Sequence, residues 1–222
     1  MPDLDPDTLR TVLRRFATGV AVVTTWDGER PWGTTVNSFS SVSLRPPLVM
    51  VAFDRERRIV PALLRTGRYA VNILGEGSRA LADCFAGGPN PRSESGPNPR
   101  LVPGRDPDRG SAPDERDRLC GADWHSGPTG LPVLADAIAR LECTVIDVHA
   151  AGDHDLYVAR VDSAADATGS LPGTEAAIPG ATTTASAVAP AESEPMPLLY
   201  YSGLYLRIER AVAHELEGKA EG

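Results

Sequence analysis

Leu9, Val12, Leu13 and Phe16 recur at i, i+3, i+4 and i+7, which gathers them on one face of a helix running from about Asp7 to Ala17. Asp5 is placed to cap it, with Pro6 at the first helical position and Gly19 as a left-handed C-cap. The β-branched run Val20–Trp26 then predicts a strand that ends at an Asp27-Gly28 hairpin turn. Residues Thr34–Leu44 return as one Ser/Thr-rich extended stretch, and Pro46-Pro47 separates it from the apolar strand Leu48–Phe53. A short helix over Arg57–Arg65, a strand over Tyr69–Leu74 and a helix over Arg79–Phe85 follow.

From Gly87 to Pro132 apolar periodicity almost vanishes, as expected of a long surface excursion. Between Ala137 and Asp147 apolar and polar residues alternate with a period of two, the mark of a strand with one wet face. His154–Val161 is its antiparallel partner, reached through Ala150-Ala151-Gly152-Asp153. Ser163–Pro197 is low-complexity Ala/Thr/Pro/Glu/Ser and buries too little to offset its ordering entropy. Leu198–Glu209 is the last ordered element, and 210–222 is a tail. Six or seven mostly sequential strands and three helices predict a single, mainly β domain. Its expected form is a closed or partly closed antiparallel barrel with peripheral helices and two loop insertions, 87–132 and 163–197.

Composition agrees with that division. The 222 residues include 21 Gly and 20 Pro, and the two insertions hold 17 and 8 of them, so the remainder has ordinary composition. A formal net charge of −8 argues against nucleic acid or an anionic membrane as partner. No apolar run is long enough to span a bilayer, and the acidic N-terminus lacks a signal-like core, so a cytoplasmic protein is expected. Cys84, Cys120 and Cys143 are odd in number and lack CxxC spacing, which predicts three reduced, buried thiols and no disulfide.

Several chemistries find little support. Gly75-Glu76-Gly77-Ser78-Arg79-Ala80 matches a dinucleotide fingerprint, yet no second parallel strand ending in an acid follows it. Cys120, His125, His149 and His154 have no metal-ligand spacing, so no metal site is expected, and no nucleophile elbow is present. Gly33–Ser43 (GTTVNSFSSVS) concentrates hydroxyls and an Asn amide before an apolar strand. By composition it is equally an ordinary sheet edge or a set of donors for a phosphate and the polar rim of a flat heterocycle.

Five motifs in order decide between these: FATGV at Phe16–Val20, TVNSFSSVSLRPP at Thr35–Pro47, YAVNIL at Tyr69–Leu74, FAG at Phe85–Gly87 and GDH at Gly152–His154. Together with LLYYSGLY at Leu198–Tyr205 they resemble the short-chain flavin reductase family, which has the FMN-binding split-barrel fold. The resemblance implies reduction of FMN or FAD by NADH or NADPH, a homodimer, and release of reduced flavin to a separate monooxygenase. It further implies that Thr35, Val36, Asn37 and Ser38 line the isoalloxazine edge. Ser41 and Val42 would lie towards the ribityl chain and phosphate, with Ala52 and Asp54 flanking the same tail. Arg57 and Arg58 would pair with the phosphate, since the guanidinium fork binds two oxygens at once, although many relatives carry a Ser/Thr turn there. Phe85 and Ala86 would close over the ring, and His154 would position the nicotinamide, with Tyr205 in the same pocket. The alternatives are a barrel that binds flavin without turnover, or one repurposed for another biosynthetic reaction.

Overall fold

The computed structural model describes residues 4–88, 119–166 and 195–208. In chain order the elements are α1 (Pro6–Leu13), β1 (Thr18–Gly19), β2 (Ala21–Asp27), β3 (Arg30–Val36), β4 (Ser40–Leu44), β5 (Pro47–Asp54), α2 (Val60–Thr66), β6 (Arg68–Leu74) and α3 (Arg79–Phe85). They are followed by β7 (Trp124–Ser126), β8 (Pro132–Leu134), β9 (Ala137–Ala151), β10 (His154–Asp166), β11 (Leu199–Tyr201) and β12 (Leu204–Leu206). Seven strands form one antiparallel sheet in the order β3-β2-β6-β9-β10-β5-β4. Its two edge strands, β3 and β4, are consecutive in the chain and separated by Asn37, Ser38 and Phe39 alone. That link reaches at most about 14 Å, so the sheet curls until its edges meet, leaving a seam rather than a ladder.

The β2 run is apolar without alternation because both its faces are covered. Ala21 and Val23 enter a core with Val51, Phe53, Tyr69, Val71, Tyr157, Ile59 at the N-cap of α2 and Leu63 within it. Val20 and Val22 face a second core built from Leu74, Ala82, Phe85, Leu119, Leu134 and Leu198. Burying a side chain of this size contributes roughly 1.5–3 kcal/mol. In α1 the Asp5 carboxylate accepts from the Thr8 amide at 2.9 Å, as the cap position predicts. The helix stops at Leu13, however, and buries none of its residues.

Other departures have equally local causes. The expected single strand Thr34–Leu44 breaks at 37–39, where the chain crosses the seam. Order resumes well before Val133: Leu119 and Cys120 are buried and β7 pairs with β8, while 89–118 lie outside the described residues. Strand β10 continues past Val161 to Asp166, so the second insertion begins later than 163; residues 167–194 and the tail 210–222 lie outside the described residues. The final element is a hairpin, β11 and β12, turned at Ser202-Gly203. Buried Glu142 also has a purpose that no sequence pattern displays. It accepts the Thr129 amide at 3.0 Å and the Leu131 amide at 3.3 Å, and so fastens the loop before β8.

The expectation of three free thiols is corrected. Cys84 and Cys120 form a disulfide, with Cα atoms 6.0 Å apart, and only Cys143 is free. Sequence spacing gave no hint because the pair is 36 residues apart and is brought together by the second core. Burial pushes the Cys143 thiol up to about 12, which keeps it neutral and unreactive at ordinary pH. Alkylation of the unfolded, unreduced chain is therefore expected to add one label, on Cys143, and alkylation of the folded chain none. Three labels without reductant would refute the pairing.

Candidate active site

The seam opens on a cleft of about 110 Å³. One wall is the end of β3 and the crossing, Thr34 to Ser38; the other is the end of β5, Ala52 to Asp54, with Arg57 and His154 beyond it. Two hydroxyls hold the walls rather than line them passively. The Ser38 hydroxyl donates to the Ala52 carbonyl at 2.8 Å, bridging the seam, and the Thr35 hydroxyl donates to the Ala82 carbonyl of α3 at 2.7 Å. Asn37 is exposed, and its side-chain amide makes no hydrogen bond among the described residues. It is thus a free donor and acceptor at the rim. Gly33 admits α3 behind β3: a Cβ there would lie 2.7 Å from Phe85 Cε1 and 3.2 Å from Thr24 Cγ2.

At the far end, β5 and β10 pair so that Asp54 stands opposite His154. The Asp54 carboxylate accepts from the Glu56 amide at 2.9 Å and its carbonyl from the Arg57 amide at 3.0 Å, forming the turn that presents Arg57. Arg57 makes no ion pair among the described residues, so its guanidinium is available to an anion. His154 Nδ1 lies 2.7 Å from Asp153 Oδ1. The hydrogen bond from His154, reinforced by its charge when protonated, holds the Asp153 carboxyl below the usual carboxylate range. An ionised carboxylate only accepts, so Nδ1 carries the proton and Nε2 is left for a ligand.

Of the residues singled out from sequence, the fold brings Thr35, Val36, Asn37, Ser38, Ala52, Asp54, Arg57 and His154 to this one cleft. Ser41 and Val42 lie exposed on edge strand β4, and Arg58 is exposed on the turn but outside the cleft. Phe85 is 4% exposed in the second core, behind β3, so it backs the wall rather than covering the opening, and Ala86 caps α3. Tyr205 packs on Tyr200 at 5.5 Å with the Arg79 guanidinium 5.9 Å from its ring, away from the cleft. Sequence reasoning missed Gly33, Asp153 and Arg55. Arg55 donates through Nε to Asp155 at 2.8 Å, a residue 100 positions away, so no local signal could have revealed it. The other imagined metal ligands are dispersed: Cys120 is in the disulfide, His125 is on β7, and His149 pairs with Asp147 at 3.1 Å. Among the described residues no group of three or more His, Cys, Asp or Glu is placed to hold a metal ion, and no helix is long and apolar enough to cross a membrane.

A slot with apolar Val36 and Ala52, amide and hydroxyl groups along one rim and an unpaired arginine at its end suits a flat heterocycle carrying an anionic tail. The donor set therefore fits a flavin nucleotide, and the curled antiparallel sheet with its open seam is a split barrel of the flavoprotein class. Residues 13–209 match the flavin reductase like domain, and the chain belongs to that family. It is 30% identical over 206 residues to the reductase subunit HsaB of a flavin-dependent monooxygenase from Rhodococcus jostii (strain RHA1), covering 93% of this chain and 80% of the relative. A probable flavin reductase of Rhizobium meliloti (strain 1021) is 35% identical over 71% of this chain, which spans 42% of that longer relative. Among solved structures, the NADH:FAD oxidoreductase SgcE6 of Streptomyces globisporus C-1027 superposes with a TM-score of 0.65 at 27% identity, covering 94% of this chain and 98% of that one. The same protein has been solved with NAD and FAD fragments.

The contact between Gly33 and Phe85 gives a direct check on the wall. Gly33→Ala should cost about 1–3 kcal/mol in thermal or urea unfolding, because the methyl must displace a buried ring. A variant as stable as the parent would mean that Phe85 is not seated against β3.

Proposed function

We propose that this chain is an NADH-dependent flavin reductase that reduces FMN or FAD and passes the reduced flavin to a separate monooxygenase. The observation that carries the reading is the convergence of Asn37, Arg57 and His154, far apart in sequence, on one cleft of a split barrel. The family membership and the activities of the relatives support it.

The residues divide the work. Asn37 and the neighbouring backbone amides would meet the polar edge of the flavin ring, while Val36 and Ala52 meet its apolar face. Arg57 would hold the phosphate by charge and by its paired donors. Bound flavin supplies the hydride-accepting ring. Donors along the ring edge favour its electron-rich reduced form, which aids acceptance of a hydride. His154 would meet the nicotinamide nucleotide through Nε2; hydride transfer needs no base, so its task is orientation. Phe85 and Thr35 act from behind by fixing the β3 wall. Ser41, Val42, Arg58, Ala86 and Tyr205 would reach the ligand only at its outer parts or where a second subunit completes the site.

We assign the working form as a homodimer. Leu9, Val12 and Leu13 of α1 are exposed, as are Phe16 just beyond it, at 76%, and Leu44 on β4, at 84%. A face of that kind is covered by another surface in stable soluble proteins. Strands β4 and β9 carry further exposed apolar side chains, Val42 and Ile146, which a second copy would cover. We place the protein in the cytoplasm, where NADH is available. The disulfide is compatible with that compartment because its two sulfurs belong to residues at most 1% exposed, out of reach of an attacking thiolate.

Purified protein is expected to oxidise NADH when FMN or FAD is added. Absence of turnover with NADH or NADPH and either flavin sinks the reductase reading, and tight flavin binding without turnover favours a binding protein instead. His154→Ala should raise the KM for NADH about tenfold while changing the flavin Kd less than about twofold; Arg57→Ala should do the reverse. Light scattering should give twice the 23.5 kDa of one chain, and Leu44→Asp should shift it to the single-chain mass.

A further inference from the structure

Arg55 stands in the run Asp54-Arg55-Glu56-Arg57, between the residue opposite His154 and the arginine of the cleft, yet it does not line the cleft. Its contacts run across the sheet to three consecutive residues, Asp153 to Asp155, where the β9–β10 turn enters β10. The Arg55 amide donates to the Asp153 carbonyl at 3.2 Å, Nη2 to the His154 carbonyl at 3.3 Å, and Nε to the Asp155 carboxylate at 2.8 Å. The peptide units on both sides of His154 are thereby fixed by one side chain and its own backbone.

We infer that Arg55 is a positioning residue for the nicotinamide side of the cleft, a clamp that joins the Arg57 turn to the His154 turn. The inference rests on the function proposed above and deepens it.

The contrast with an ordinary surface ion pair follows from exposure. The Arg55 and Asp155 side chains are 45% and 21% exposed, so their Coulomb attraction is screened and adds little to global stability. What the contacts restrict is a hairpin tip. Strand β9 pairs with β6 as far as Thr144, and the Val145 amide donates to the Gly67 carbonyl at 2.8 Å, so among the described residues the stretch 146–151 is paired by β10 alone. A turn at the end of such an arm, with Gly152 at φ 68°, has few other constraints. The imidazole is set by two successive links: Arg55 fixes the main chain of residues 153–155, and the Asp153 carboxylate fixes the ring through Nδ1. Lysine could reach Asp155 but offers no fork for the His154 carbonyl at the same time.

The test compares the full-length chain with Arg55→Ala and Arg55→Lys by steady-state kinetics, flavin titration and hydrogen exchange of the peptide spanning 150–156. Arg55→Ala is expected to raise the KM for NADH about tenfold and Arg55→Lys about threefold, with kcat and flavin Kd within about twofold of the parent. Exchange in 150–156 should quicken in Arg55→Ala while the melting temperature stays close to that of the parent. An unchanged KM in Arg55→Ala, a flavin Kd that rises as far as the KM, or unaltered exchange at 150–156 would each overturn the clamp. If the parent itself fails to oxidise NADH, the reductase reading falls, and the exchange comparison alone then upholds or overturns the clamp.

Discussion

Because the chain passes from β3 to β4 through only Asn37, Ser38 and Phe39, the end of one outermost strand of a seven-stranded sheet is obliged to approach the start of the other. Strand twist alone would leave such a sheet open. The short crossing turns twist into curl, and the curl creates a line along which backbone groups are not consumed by a ladder. The cleft lies on that line. Its position is thus a consequence of connectivity, and the residues that cross the gap are those best placed to meet a ligand there.

The scaffold behind the cleft is stiff because β2 serves two cores at once. Val22, with Val20 just before the strand, belongs to one core and Ala21 and Val23 to the other, so a displacement of this strand would disturb packing on both sides. Helix α3 transmits that rigidity to β3 through Thr35 and through the seat that Gly33 leaves for Phe85. The polar residues of the cleft are tolerated because those that turn inward are satisfied. Ser38 and Thr35 donate to carbonyls, and Asp54 receives an amide. Asn37 and Arg57 keep their hydrogen-bonding capacity for the solvent side.

Much of this was legible in the sequence wherever one stretch of chain suffices to define an element. Helix α3 occupies Arg79–Phe85 and strand β6 ends at Leu74, as their local patterns predict, and the cap at Asp5 follows from residue type alone. The cleft residues Thr35 to Ser38, Ala52, Asp54, Arg57 and His154 were legible through motifs, which carry three-dimensional information in one dimension. What escaped depends on distant partners. The α1 stripe reads as a core face, yet none of the helix residues is buried among the described residues. Phe85 was assigned to the ligand because its motif sits near the site, and a missing methyl at Gly33 decides which side of β3 it occupies. The Cys84–Cys120 bridge and the Arg55–Asp155 pair exist only after the sheet has closed, and neither spacing nor periodicity encodes them.

The disulfide has an architectural corollary. It crosslinks α3 to the buried turn at Leu119–Cys120 and so closes a covalent loop between two cysteines 36 positions apart. The approach of these two points is thus held covalently, and the chain-entropy cost of closing the loop between them is met by the bond rather than by packing. Neither cysteine lies on a strand of the seven-stranded sheet, so reducing the bond would release the second core while leaving every ladder of that sheet in register.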